Sequence, residues 1–143
     1  MKRICVIGGG RWGKNHIRTL HQLGYLAAIA EANPTKLQEH IAAYPGTIGH
    51  SSVDEAIEAA YDGYTLATPA ESHFEIALKI IRKGMNIMIE KPMTLTSEQS
   101  EILVAEAKKS GSRLMVGHIL LFHPAIRKIK EVIASGKIGK LFY

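Results

Sequence analysis

A single cysteine, the absence of any long apolar run and the absence of a dense cluster of like charge set the first limits on this chain of 143 residues. Cys5 has no partner for a disulfide, so an ordinary core must hold the fold, and its place inside the first apolar run suits a small buried hydrophobe in a reducing cytoplasm. The apolar stretch after Met1-Lys2-Arg3 ends at Gly8. That is far short of a signal-peptide core, or of the run of about 20 residues that spans a bilayer. No membrane partner is expected. The net charge is +5, yet the basic residues are spread out and only Arg127-Lys128-Ile129-Lys130 approaches a cluster. A nucleic-acid footprint gathers its charge on one face or stripe, so no nucleic-acid partner is expected either. His16, His21, His40 and His50 lack metal-ligand spacing, which gives no metal site. There are no repeats and no low-complexity tracts.

What remains is an alternation of short apolar runs with amphipathic stretches, in a chain whose hydrophobic fraction of 46% supports about one domain. Strands are predicted over 3–7, 25–30, 63–67, 86–90 and 113–117, with a further one opening at Ile48. Helices are predicted over 12–23, 34–44, 52–61, 71–83, 97–110 and 124–135. Punctuation agrees with these bounds. Asn33 can cap a helix with Pro34 at its first position, and Gly24, Gly84 and Gly111 fall where helix ends take positive φ. Capping boxes are predicted at Ser52 to Glu55 and, less sharply, at Thr94 to Ser97. Strands alternating with helices specify an α/β fold, a doubly wound, mostly parallel sheet.

Between the first strand and the first helix stands Gly8-Gly9-Gly10-Arg11-Trp12-Gly13, a Gly-x-Gly-x-x-Gly match at Gly8, Gly10 and Gly13. In a Rossmann fold the first glycine makes the tight turn, the second lets a pyrophosphate approach the backbone and the third lets helix pack on strand. The following helix N-terminus favours an anion. Glu31 closes the second predicted strand and has two open roles: accepting from adenosine ribose hydroxyls, or a solvated acid near the cap at Asn33. In the first role it repels a 2′-phosphate, and no arginine directly follows it, so NAD is expected in preference to NADP. A mild basic excess suits such an anionic cofactor.

Three ordered motifs, Gly8 to Gly13, Ala67-Thr68-Pro69-Ala70-Glu71-Ser72-His73 and Glu90-Lys91-Pro92, resemble the Gfo/Idh/MocA oxidoreductase family from Met1 to Tyr143. The resemblance implies an N-terminal NAD(P)-binding domain followed by a second α/β domain, acting on a hydroxyl carbon of a sugar, nucleotide sugar or cyclitol. It places Thr68 and Pro69 beside the cofactor and His73 in the same crevice, where His73 could equally serve only its own helix start. Glu90 would touch the nicotinamide ribose, orient its neighbour, or be a structural strand-end acid. Lys91 is the catalytic candidate, since an ammonium beside a carbinol oxygen stabilises the developing alkoxide. The resemblance also implies a cis Lys91-Pro92 bond. His118, at the end of the sixth predicted strand, is a candidate contact to substrate or cofactor and is taken as substrate-lining. The wording from Gly117 to Pro124 is nearest to members acting on nucleotide-linked sugars. Leu121 and His123 depart from the commoner family pattern, so no substrate contact is assigned to them.

The resemblance divides the chain into a dinucleotide-binding domain, 1–120, and a segment, 121–143, made of a helix and the first strand of a substrate and oligomerisation domain that the 143 residues do not include. The general base, commonly a histidine of that second domain, would then be absent and turnover low. The apolar C-terminal segment is expected to drive homo-oligomer formation. Two functions stay open: the cofactor half of a dehydrogenase, or a stand-alone NAD-binding module that senses cofactor or pairs with another chain.

Overall fold

The computed structural model describes residues 2–140 and 142. In chain order the elements are β1 (Ile4–Ile7), α1 (Arg11–Gln22), β2 (Leu26–Ala30), α2 (Pro34–Ala43), β3 (Ile48–His50), α3 (Val53–Glu58), β4 (Gly63–Leu66), α4 (His73–Arg82), β5 (Asn86–Ile89), α5 (Ser97–Ser110), β6 (Leu114–Val116) and α6 (Pro124–Ala134). Short 3₁₀ turns over Ala70–Ser72 and Ile119–Phe122 precede α4 and α6. The six strands form one sheet in the order β3-β2-β1-β4-β5-β6, and every neighbouring pair is parallel.

Alternation along the strands sends side chains to two buried faces, which is why the runs read as continuously apolar. Cys5 and Ile7 of β1, with Tyr64 and Leu66 of β4 and Ile87 and Ile89 of β5, meet Ile80 and Ile81 of α4 and Leu103 of α5. Val6 and Ile29 point the other way, onto Ile17 of α1 and Leu37 of α2. Ile17 and Ile80 are fully buried, and such a side chain contributes about 1.5–3 kcal/mol by leaving water. Burial pushes the Cys5 thiol up to about 12, so it stays protonated and packs as a hydrophobe.

The helix ends follow local chemistry. Asn33 Oδ1 accepts from Lys36 N–H at 3.0 Å and Ser52 Oγ from Glu55 N–H at 3.2 Å, and the backbone turns at Gly24, Gly84 and Gly111 with φ of 74°, 74° and 73°. At α5 the capping box lies two residues later than predicted. Thr96 Oγ1 accepts from Gln99 N–H and Gln99 Oε1 from Leu95 N–H, both at 3.3 Å. Helix α3 stops at Glu58, short of the predicted 61, because tertiary packing takes over. Ala60 adopts φ 50° and Tyr61 turns into the core, where its N–H donates to Tyr64 Oη at 3.2 Å and Tyr64 Oη donates to Ala56 O at 3.1 Å.

Beyond β6 the character changes. Leu120, Leu121 and Phe122 are exposed, and α6 buries none of its residues although Ile126, Ile129 and Ile133 line up at helical spacing. The strand predicted at Leu141-Phe142-Tyr143 falls where Leu141 and Tyr143 lie outside the described residues. Among the described residues no helix is long and apolar enough to cross a membrane.

Candidate functional site

Because β1 pairs with both β2 and β4, the chain leaves β1 toward one side of the sheet and returns to β4 on the other, opening a crevice at the C-terminal strand ends. The glycine turn sits at that point. Gly8 has φ 94°, donates its N–H to Ala30 O at 2.8 Å, and lies so close to β4 that a Cβ would fall 2.9 Å from the backbone of Ala67 and Thr68. A Cβ on Gly13 would strike Gly8 O. Gly10 differs from both: its backbone is ordinary at φ −70°, and a Cβ there would meet nothing within 4 Å. Protein packing therefore does not require glycine at position 10, and the space beside it is open.

Helix α1 begins there without a side-chain cap and without an acid in its first turn. Asn33, Ser52, Thr96 and His123 cap α2, α3, α5 and α6 with side-chain acceptors. The first-turn N–H groups of α1 and the positive end of its dipole are left for an anion, with Arg11 and Trp12 exposed beside them. Glu31, just past β2, uses one carboxylate oxygen to accept from Gly9 N–H at 2.8 Å and the other to accept from Asn33 N–H at 2.9 Å. It thus ties the turn to the start of α2. A cleft of about 350 Å³ runs between them, lined by Gly8, Gly10, Glu31, Thr68 and Pro69 together with Lys36, Ser51 and Ser52. The sequence did not name these last three as site residues, Ser52 having been read only as a helix cap; Lys36 comes from the first turn of α2, and Ser51 and Ser52 follow β3, which lies parallel beside β2.

The second half of the site is a bonded stack of strand ends. Ala67 N–H donates to Ile7 O at 2.8 Å, Glu90 N–H to Leu66 O at 2.9 Å and Gly117 N–H to Ile89 O at 2.8 Å, so the ladders run on past β4, β5 and β6. Thr68 Oγ1 bonds Ser72 Oγ at 2.7 Å, and Ser72 Oγ donates to Pro69 O at 2.8 Å. His73 was expected to line the crevice; at 1% exposure it lies beneath it instead, its ring nitrogens 2.9 Å from Thr68 O and 2.9 Å from Pro92 O. The imidazole therefore sits between the Thr68-Pro69 turn and the Glu90-Lys91-Pro92 turn, and in its neutral form it donates to one of the two carbonyls. The Lys91-Pro92 bond is cis, as the resemblance implies.

Glu90 is 7% exposed and faces inward. Its Oε1 lies 2.7 Å from His16 Nε2 on α1, its Oε2 accepts from Lys91 N–H at 3.3 Å, and a Cβ on Gly117 would lie 3.4 Å from the carboxylate. His16 had been noted from the sequence only as lacking metal spacing, and no local pattern could have paired it with an acid 74 residues away. Lys91 is exposed, and its Nζ enters no hydrogen bond or ion pair among the described residues. His118 is exposed just beyond β6, its N–H turned back onto Val116 O at 2.8 Å. The arrangement offers an anion cradle at one end of the crevice and a free ammonium on a braced turn at the other. Among the described residues no group of three or more His, Cys, Asp and Glu converges to hold a metal.

The model of the Gfo/Idh/MocA oxidoreductase family, described by its NAD-binding Rossmann fold, matches residues 2–118, and the chain belongs to that family. It is 32% identical over 144 residues to an inositol 2-dehydrogenase of Pseudarthrobacter chlorophenolicus, covering 97% of this chain and 43% of that protein. A UDP-N-acetylglucosamine 3-dehydrogenase of Acidithiobacillus ferrooxidans is 33% identical over 129 residues, covering 90% of this chain and 41% of that one. The WlbA dehydrogenase of Bordetella pertussis, solved with NADH and UDP-GlcNAcA, superposes with a TM-score of 0.90 at 30% identity over 96% of this chain and 43% of its own. The chain thus spans less than half the length of the curated relatives it matches.

The glycines separate binding from folding. Gly10→Ala is expected to leave the melting midpoint nearly unchanged, within about 0.5 kcal/mol, while NAD binding falls steeply. Gly13→Ala is expected to cost about 1–3 kcal/mol of stability through overpacking against Gly8 O. Thermal melts and NAD titrations of the two variants check this; equal behaviour of the pair would contradict it.

Proposed function

We propose that the chain is the NAD-binding half of an oxidoreductase that moves hydride between a nicotinamide and a hydroxyl-bearing carbon of a cyclitol, sugar or nucleotide sugar. The observation that carries this reading is the unpaired Lys91 ammonium, held on a turn braced by His73 and Glu90, across the crevice from the uncapped start of α1. Relatives named as inositol and UDP-N-acetylglucosamine dehydrogenases support the substrate class.

In this reading Gly8, Gly10 and Gly13 bring the backbone to the pyrophosphate, with Arg11 and Trp12 flanking it. Glu31 accepts from the adenosine ribose through lone pairs not used by Gly9 and Asn33, and disfavours NADP by repelling a 2′-phosphate. Thr68 and Pro69 form the wall between the two halves of the cofactor site. When bound, the nicotinamide supplies the hydride acceptor or donor. Glu90 fixes the backbone of Lys91, and Lys91 stabilises negative charge on the substrate oxygen as its proton leaves, or polarises the carbonyl in the reverse direction. His118 faces the substrate side. The general base comes from outside these residues, with 1–120 serving the cofactor and 121–143 leading into the substrate domain. The reading sets the reaction in the cytoplasm, where Cys5 stays a thiol.

The exposed apolar row from Leu120 to Phe122 and along α6 is the surface through which copies of the chain associate. Sedimentation of the chain over a concentration series is expected to show self-association, which Leu121→Lys with Ile129→Lys reduces; a monomer at high concentration would contradict it. In the complete enzyme, Lys91→Met is expected to lower kcat for inositol or UDP-N-acetylglucosamine oxidation by about 10²–10³-fold while NAD affinity persists. An unchanged kcat would rule out the role given to Lys91.

A further inference from the structure

His40 has no part in the family motifs and reads from the sequence as an ordinary α2 residue. In the structure it is 5% exposed, and its Nε2 lies 3.0 Å from Gly9 O. A carbonyl only accepts, so Nε2 carries the hydrogen and donates. Gly9 N–H is already held by Glu31 at 2.8 Å, so one residue is gripped at both of its backbone polar groups. The grip is close: a Cβ at Gly9 would collide with the His40 ring.

These two bonds fix successive peptide planes in a run of three glycines, the residues least able to fix themselves. A trans peptide is planar, with its C=O and N–H pointing in opposite directions. With Gly9 O drawn inward onto a buried ring, the N–H of Gly10 on the same peptide must point outward. That N–H has no protein partner among the described residues, and it borders the open space where a Cβ on Gly10 would meet nothing. We propose that His40 is a positioning residue for the dinucleotide: by holding Gly9 O it aims the Gly10 N–H at the pyrophosphate, without touching the cofactor itself. The proposal rests on the cofactor reading of the glycine turn and deepens it. A released peptide could rotate, and the phosphate would lose a charge-assisted donor.

The test compares His40→Phe, which keeps a ring and loses the donor, His40→Leu as a second donor-free variant, and His40→Gln, whose amide can replace Nε2. Each is titrated with ADP-ribose and with adenosine, which lacks the pyrophosphate, with sole Trp12 of the turn as the fluorescent reporter. His40→Phe and His40→Leu are expected to weaken ADP-ribose about tenfold, as the loss of one charge-assisted bond implies, and to leave adenosine unchanged, with His40→Gln restoring most of the loss. Equal weakening of both ligands, or no weakening, overturns the proposal while the cofactor reading stands. Failure of the wild-type chain to bind ADP-ribose overturns both. Should the donor-free variants not fold, the wild-type amide resonances decide. ADP-ribose is expected to shift Gly10 strongly and Gly9, already bonded to Glu31, little; an unmoved Gly10 amide overturns the proposal.

Discussion

The parallel pairing of β1 with β2 on one side and β4 on the other is the constraint on which the rest of the molecule depends. It places the chain reversal at the C-terminal end of β1, so the glycine turn, Glu31 and the Thr68-Pro69 turn meet although they are far apart in sequence. It also commits both faces of the sheet to burial, which the alternation of Cys5 and Ile7 against Val6 satisfies. Once β1 is central, β5 and β6 can only extend the sheet outward, and Lys91 arrives at the same rim as α1.

At that rim, buried and half-buried side chains are used mainly to hold backbone. Glu31 and His40 grip Gly9, His73 spans Thr68 O and Pro92 O, and Glu90 takes the Lys91 N–H while meeting His16. Among the described residues the start of α1 has no side-chain cap and the Lys91 ammonium has no partner. A site on loops thereby gains rigidity that the loops alone would lack.

Much of this was legible in the sequence where the requirement is local. Gly8 and Gly13 are demanded by a positive φ and by close backbone contact, so spacing alone exposed them, while Gly10 borders open space. The strands announced themselves through buried apolar runs, and even short Ile48–His50 is marked by the Pro45-Gly46 turn before it. What stayed hidden is tertiary. His40 reaches Gly9 across 31 residues and His16 reaches Glu90 across 74, and neither histidine sits in a pattern that names its partner. Helix α3 ended early for the same reason: Tyr61 had a better place in the core with Tyr64 than on a helix surface. The inward turn of Glu90 and His73 likewise followed from which carbonyls and rings lay within reach after folding.

On the proposed reading the crevice between β1 and β4 takes a dinucleotide and Glu31 selects NAD. Titrating the wild-type chain with NAD and, separately, NADP, while following Trp12 emission, tests it most directly. Saturable binding of both nucleotides at the same site is expected, with NAD tighter by about tenfold or more, the worth of roughly 1.4 kcal/mol of phosphate repulsion. Tighter binding of NADP, or no saturable binding of either, would contradict it.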